Sequence, residues 1–331
     1  MRIYYYKSSI TIAKRVIKKV FFYMFSVIFP GQGSQVVGMG NDFFEKFDSV
    51  RELFKKADDV LGFSLSKIIL EGPKEELNLT ANTQPAIFLI SYAIFDVIKK
   101  EFDIDLSEAK YFAGHSLGEY SALASAGYLD FSETILLLKK RGEAMQNAVP
   151  KGAGGMVAVL GSNIDFVEKI LKDNQNNFMV EIANDNSEGQ IVLSGKNEDL
   201  NQLIEVLKSN SIKNIKLPVS APFHCKLMLQ ATKIMREEIE KVNFKDAKNI
   251  LISNVTADEI PNKDKLKELL IKQIENRVRW RESIIYMTNK GVNHFIEIGP
   301  GKVLSGLVKR INKSVKIDTI NTESDIENLK I

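Results

Sequence analysis

Gly114-His115-Ser116-Leu117-Gly118 constrains this chain more than any other five residues, because it joins a short apolar stretch, Tyr111 to Gly114, to a helix-forming one, Ser116 to Ala126, closed by Gly127. In that setting a G-x-S-x-G run predicts a sharp, strained strand-to-helix turn that lifts the serine hydroxyl into the open. The glycines let the two backbones approach closely, and the helix N-terminus aims N–H groups and positive dipole at one spot, so the Leu117 N–H can serve an oxyanion. Outside that context the same letters are a tight turn of no catalytic meaning. The expected architecture is α/β, with a nucleophile at the end of a strand in a parallel sheet.

A serine hydroxyl is a weak nucleophile and needs a base within hydrogen-bond reach. Three histidines are available. His115 adjoins the serine, and neighbouring side chains on an extended segment point apart. His294 lies in an apolar strand pattern and reads as a satisfied core residue. His224, in Val219-Ser220-Ala221-Pro222-Phe223-His224-Cys225 directly after a predicted strand, is left as the base by elimination. Cys225 reads as a small buried filler rather than a rival nucleophile. A hydrolase would add a carboxylate between serine and histidine in the chain. Asp130, Glu133 and Glu143 lie in that interval, and nothing singles one out. Motif chemistry alone stops at a Ser-His enzyme of unknown substrate.

The remaining pattern gives a two-part organisation. Residues 43 to 61 place Phe43, Phe44, Phe47, Val50, Phe54, Ala57 and Leu61 at helical spacing, ending at Gly62. Thr83 to Lys99 reads as a buried helix with Pro85 early in it. Ser132 is expected to cap a helix that carries Arg141 and runs to about Asn147. After a glycine-rich stretch at 152 to 155, a plausible hinge, the order is strand (156 to 160), helix (165 to 172), strand (179 to 183), strand (190 to 194), helix (198 to 208) and strand (212 to 218). That β-α-β-β-α-β order predicts a ferredoxin-like subdomain, 152–218, inserted between the two parts of the main domain, 24–151 and 219–331. Late strands of the main domain are expected at Ile250 to Ile252 and His294 to Ile298.

Charge and cysteine content narrow the class. The net charge is +3, but the first 23 residues hold six basic residues and no acid, leaving 39 basic residues against 42 acidic ones. No nucleic-acid footprint remains. That leader, residues 1–23, has a basic start and a short apolar run, too short to span a bilayer. With no small-residue cleavage site after it, it reads as an over-extended start or a dispensable tail, with Met24 a candidate first residue. One cysteine cannot close an internal disulfide, and three histidines beside it give no spaced set of metal ligands. A reduced, cytoplasmic, metal-independent monomer is the expectation.

Five ordered blocks then become specific together: Phe29-Pro30-Gly31-Gln32-Gly33-Ser34-Gln35, Gly114-His115-Ser116-Leu117-Gly118-Glu119-Tyr120, Arg141-Gly142, Pro222-Phe223-His224-Cys225 and Ile298-Gly299-Pro300-Gly301. In this order and spacing the chain resembles malonyl-CoA:acyl carrier protein transacylase from Met24 to about Asn321. The resemblance implies a hydrolase-like α/β domain with an inserted ferredoxin-like subdomain. It implies Ser116 as the acylated nucleophile, His224 as its base, and the backbone N–H groups of Gln32 and Leu117 as the oxyanion hole. Arg141 corresponds to the clamp on the malonyl carboxylate, and Gln273 to the residue whose main-chain carbonyl orients the histidine. Read without the resemblance, Arg141 is a surface arginine beside Lys139 and Lys140.

The implied substrates are malonyl-CoA and phosphopantetheinylated acyl carrier protein, with no cofactor, metal, nucleic acid or membrane. Members differ at the residue before the histidine, and Phe223 with Leu117 is compatible with malonyl rather than a branched analogue. Lys309 and Arg310 are candidate contacts for the acidic carrier protein. A serine hydrolase or thioesterase, and a polyketide-type acyltransferase, stay as alternatives. A non-catalytic carrier-protein-binding module is disfavoured by the joint presence of Ser116, His224 and Arg141.

Overall fold

Strands buried on both faces read as near-continuous apolar runs, and Phe25–Phe29, interrupted only by the buried Ser26, and Tyr111–Gly114 are such runs. In the computed structural model, which describes residues 24–219 and 221–331, they are β1 and β2 of a five-stranded parallel sheet. The leader at residues 1–23 and Ser220 lie outside the described residues. Seven more strands follow in chain order among the described residues: β3 is Gly154–Leu160, β4 Val180–Ser187, β5 Gln190–Lys196, β6 Lys213–Lys216, β7 Ile250–Leu251, β8 His294–Ile298 and β9 Lys316–Ile320. The parallel sheet runs β7-β2-β1-β8-β9, so β1 sits at its centre. Alternation splits its side chains between two cores. Val27, Phe29 and Phe112 face the helices Thr80–Glu101 and Gly118–Ser125, whereas Ile28, Tyr111, Ala113 and Phe295 face Trp280–Asn289 and Val303–Ile311.

The other four strands make an antiparallel sheet of order β4-β5-β3-β6. One face packs Val157, Val159, Ile191 and Leu193 against the helices Ile164–Asp173 and Asn197–Ser209. The opposite face turns Met156, Ala158 and Val192 toward the main core. Two backbone hydrogen bonds tie this unit down, from the Asp185 N–H to the Val278 carbonyl (2.9 Å) and from the Val278 N–H to the Ala183 carbonyl (2.8 Å). Beside them the Arg281 guanidinium grips the buried Asp185 carboxylate (Nη2 to Oδ2 2.8 Å).

Several elements differ from the sequence expectation. The helix expected over 43 to 61 is two, Asn41–Lys46 and Asp48–Leu61, because Phe47 turns extended to pack on Phe43 and Phe102. The Arg51 guanidinium satisfies the carbonyls of Phe44 and Glu45 that the break exposes (both 2.7 Å). Thr80–Glu101 starts three residues before the expected Thr83, so Pro85 falls in its second turn. That helix has the length and composition to cross a membrane, and it is the buried core helix of the main domain. The elbow helix starts at Gly118 rather than Ser116, and Asp130 rather than Ser132 is the N-cap of Phe131–Gln146. Gly154 and Gly155 of the expected hinge are the first residues of β3. Strand β9, with its intermediate burial, had no clear apolar signal.

Candidate active site

Ser116 sits at φ 54°, a left-handed conformation that side chains rarely adopt, at the turn between β2 and Gly118–Ser125. The flanking glycines are obligatory: a Cβ on Gly114 would lie 1.9 Å from the Gly118 carbonyl oxygen, and one on Gly118 would lie 2.3 Å from that of Phe29. Asn254 brackets the turn, its Oδ1 accepting from the Ser116 N–H (2.7 Å) and its Nδ2 donating to the Gly114 carbonyl (2.7 Å). The Ser116 N–H is thereby committed to Asn254. Among the described residues, the N–H groups of Gln32 and Leu117 make no hydrogen bond within the chain, and both residues line the cavity over Ser116.

The structure brings His224 to the serine, with Nε2 2.8 Å from Ser116 Oγ. Its other nitrogen, Nδ1, lies 2.8 Å from the main-chain carbonyl of Gln273, the last residue of the helix Lys263–Gln273. A carbonyl only accepts, so Nδ1 carries the hydrogen and Nε2 is left to take the serine proton. His224 is itself at φ 57°, so two strained residues face each other. Burial, and then the Arg141 charge, push the imidazole down to about 3, which keeps it neutral. Neither Asp130 nor Glu143 approaches it: they pair with Lys245 and Lys139.

Arg141 is buried, not on the surface as its lysine neighbours suggest. Gly142 explains how. A Cβ there would lie 2.6 Å from the Thr80 carbonyl oxygen, so its absence lets Phe131–Gln146 press against Thr80–Glu101 and brings Arg141 to Gln84. Its Nη1 donates to Gln84 Oε1 (2.7 Å), and its Nη2 to Gln273 Oε1 (2.8 Å) and Ser116 Oγ (3.2 Å). The guanidinium also lies over the Tyr120 ring, 5.5 Å from its centroid. Both its side-chain amide partners are neutral, and no carboxylate forms a salt bridge with it among the described residues. A buried cation of this kind is a ready partner for an incoming anion.

Gln273 lies directly beneath. Besides its carbonyl, its Nε2 donates to the Ser116 carbonyl (2.9 Å) and to Glu119 Oε2 (2.7 Å). Glu119 is fully buried, and burial pushes it up to about 7 against the opposing pull of those hydrogen bonds and of Arg141. Gln84, Asn254, Glu119 and the side chain of Gln273 carry no role in the sequence reading. Glu119 stands inside the elbow block, which was a usable signal, but Asn254 is 138 residues from the serine it holds and stands in no motif.

The cavity holds about 460 Å³ and lies between the two sheets, with Ser116, His224, Arg141, Gln32 and Leu117 on the main-domain wall. Met156, Ala158, Val192, Asn184 and Asn186 form the opposite wall. His115 turns away from the serine, its Nε2 2.8 Å from Asn186 Oδ1. His294 is buried in β8, 2.8 Å from Asp318. Cys225 is buried against the Pro222 carbonyl and pushed up to about 11 by burial, which suits the filler reading. Lys309 bonds the Lys313 carbonyl, and Arg310 bonds Gln190 at the cavity rim. Among the described residues no three His, Cys, Asp or Glu side chains converge as metal ligands.

The acyl transferase domain family matches residues 26–328 of this chain. The malonyl CoA-acyl carrier protein transacylase of Bacillus subtilis is 43% identical over 302 residues, covering 91% of this chain and 94% of its own. The crystal structure of acyl-carrier-protein-S-malonyltransferase from Bartonella henselae superposes with a TM-score of 0.89 at 42% identity, covering 92% of this chain and 97% of that one. A malonyl-transacylase solved in complex with a type II PKS acyl-carrier protein superposes with a TM-score of 0.88 at 37% identity, covering 92% and 98%.

Proposed function

This chain belongs to the malonyl CoA-acyl carrier protein transacylases of the acyl transferase family, and on that premise we propose that it moves malonyl from coenzyme A to the phosphopantetheine thiol of acyl carrier protein through a malonyl ester on Ser116. The observation that carries the reading is the contact of Ser116 Oγ with both His224 Nε2 (2.8 Å) and the Arg141 guanidinium (3.2 Å). His224 takes the serine proton as Oγ attacks the thioester carbonyl, and returns it to the departing coenzyme A sulfur. The oxyanion accepts from the Gln32 and Leu117 N–H groups. The carrier-protein thiol then gives its proton to His224 and attacks the ester, and Ser116 leaves reprotonated.

Arg141, held by amides rather than a carboxylate, takes the free malonyl carboxylate with two parallel donors, a contact that acetyl cannot make. Seating that carboxylate also cancels part of the charge that depresses His224, so the base strengthens when the right acyl group is bound. Every group the reaction needs comes from this chain, so it proceeds without cofactor or metal. The β-α-β-β-α-β order of residues 154–216 supports a ferredoxin-like subdomain inserted in a hydrolase-like main domain. We read the enzyme as a cytoplasmic monomer of fatty acid biosynthesis that acts on neither membrane nor nucleic acid.

Incubation with malonyl-CoA, with and without acyl carrier protein, tests the reaction. A malonyl adduct on Ser116 by intact-protein mass spectrometry, stable until carrier protein is added, is expected. Rapid release of free malonate in its absence would make the protein a hydrolase. The relative solved with a type II PKS carrier protein favours one second reading, a polyketide carrier as acceptor. Competition between the two carrier proteins for the malonyl-enzyme decides between them.

A further inference from the structure

Three groups of the proposed reaction, the nucleophile, the base and the clamp, each stand one residue away from the same buried carboxylate. Glu119 Oε2 accepts from Gln273 Nε2 (2.7 Å) and from the Asn254 N–H (3.2 Å). Gln273 gives its carbonyl to His224 and its Oε1 to Arg141 (both 2.8 Å). Asn254 holds the Ser116 N–H and the Gly114 carbonyl. We propose that Glu119 is a positioning residue of the transfer reaction, fixing through Gln273 and Asn254 the orientation of His224, Arg141 and the Ser116 turn. This assignment rests on the reaction proposed above.

The Gln273 amide is the pivot of this frame. Its two ends differ only in hydrogen-bond sense, so its neighbours must choose its orientation. Glu119 Oε2, which also accepts from the Asn254 N–H, and the Ser116 carbonyl both act as acceptors here, which draws Nε2 toward the elbow and leaves Oε1 facing the guanidinium. With the amide flipped, its N–H groups would meet the donors of Arg141, and its oxygen would meet two acceptors. Packing alone does not call for a carboxylate here. Glu119 Oε1 is buried without a hydrogen-bond partner, an arrangement that costs stability and that an apolar side chain of the same length would avoid.

The test compares Glu119→Met, which fills the space but removes the acceptor, with Glu119→Gln, which keeps an acceptor oxygen. The burst of coenzyme A released on mixing with malonyl-CoA counts competent sites, and turnover is expressed per site. Glu119→Met should lose on the order of 10²-fold in kcat per site, the scale of a catalytic group misplaced by about 1 Å, and should lose malonyl-over-acetyl preference with it. Glu119→Gln should keep both near wild type. A purely structural residue would lower the number of sites while leaving kcat per site and the preference unchanged in Glu119→Met, and that result overturns the assignment. So does a Glu119→Gln variant as impaired per site as Glu119→Met. If Glu119→Met does not fold, Glu119→Asp carries the same test, because the shortened side chain keeps the carboxyl group but withdraws it from Gln273. A wild type that malonyl-CoA does not acylate overturns the reaction itself, whereas an acylated wild type matched by its variants overturns only the role of Glu119.

Discussion

The two walls of the cavity are built from different chemistry. The main-domain wall carries both strained residues, Ser116 in the turn after β2 and His224 in a loop, with the buried guanidinium from within Phe131–Gln146 and the hydrogen-bonded frame beneath them. The inserted sheet offers Met156, Ala158 and Val192 with the amides of Asn184 and Asn186, and no charged side chain to the reacting serine. In the proposed reaction, catalysis and charge selection are therefore concentrated on one wall, and the other supplies surface along which a chain can lie. Substitutions should divide the same way.

The largest effect belongs to the elbow. Ser116→Ala should lower transfer by on the order of 10⁴ to 10⁶, as removal of a nucleophile does. Mass spectrometry should show no adduct, and an adduct equal to wild type would place the acyl group elsewhere. Next comes Arg141→Ala. It should reduce malonyl-over-acetyl preference by roughly 2 to 5 kcal/mol, the range for losing one partner of a buried charge pair. The ratio of kcat/KM for the two thioesters measures it, and an unchanged ratio would remove Arg141 as the clamp.

How much of that wall was legible depended on distance along the chain. The elbow was readable because its geometry needs glycine at 114 and 118 and serine between them within five residues. The nine-strand layout was also largely readable, since buried parallel strands are apolar runs and the inserted unit has a recognisable order. Phe47 defeated the helix pattern because an aromatic at helical spacing can turn out of the helix toward a partner such as Phe102. His224 could be reached only by elimination or resemblance, and Arg141 looked exposed because its neighbours are lysines. Asn254, Gln84 and the side chain of Gln273 act through contacts that exist only once helices and strands are assembled.

Glu119 gives a third and smaller effect, in stability against pH. Its folded value, about 7, lies above the ordinary 4.5, so the folded protein binds more protons than the unfolded chain between those values. Stability from this group is fully present below about 4.5 and is lost as pH rises through about 7. The loss amounts to about 3 kcal/mol, taking about 1.4 kcal/mol for each unit of difference. Glu119→Gln has no such proton. Urea unfolding at pH 5 and pH 8 should show wild type losing about 3 kcal/mol more than the variant. Equal losses would mean that Glu119 is not held in its neutral form. His224, pushed from 6.5 down to about 3, stays neutral in the folded protein while the unfolded chain takes up its proton below about 6.5, so its step has the opposite sign; it is common to wild type and Glu119→Gln and cancels from the comparison.

The smallest effect should come from the inserted wall, and it is the one that tests the division. Asn186 meets His115 at 2.8 Å across the cavity, one neutral hydrogen bond between the inserted sheet and the residue beside the nucleophile. Burial holds the His115 proton affinity below the usual imidazole range, so the pair is between uncharged groups. Asn186→Ala should therefore cost about 1 kcal/mol of stability, the net worth of such a bond. Because Ser116, His224 and Arg141 are fixed from the main domain, kcat for malonyl transfer and the malonyl-to-acetyl ratio should stay close to wild type, with any change confined to KM for the thioester. A large fall in kcat per acylated site would show that the inserted wall helps to hold the elbow through His115, and that reaction and surface are not divided between the two walls after all.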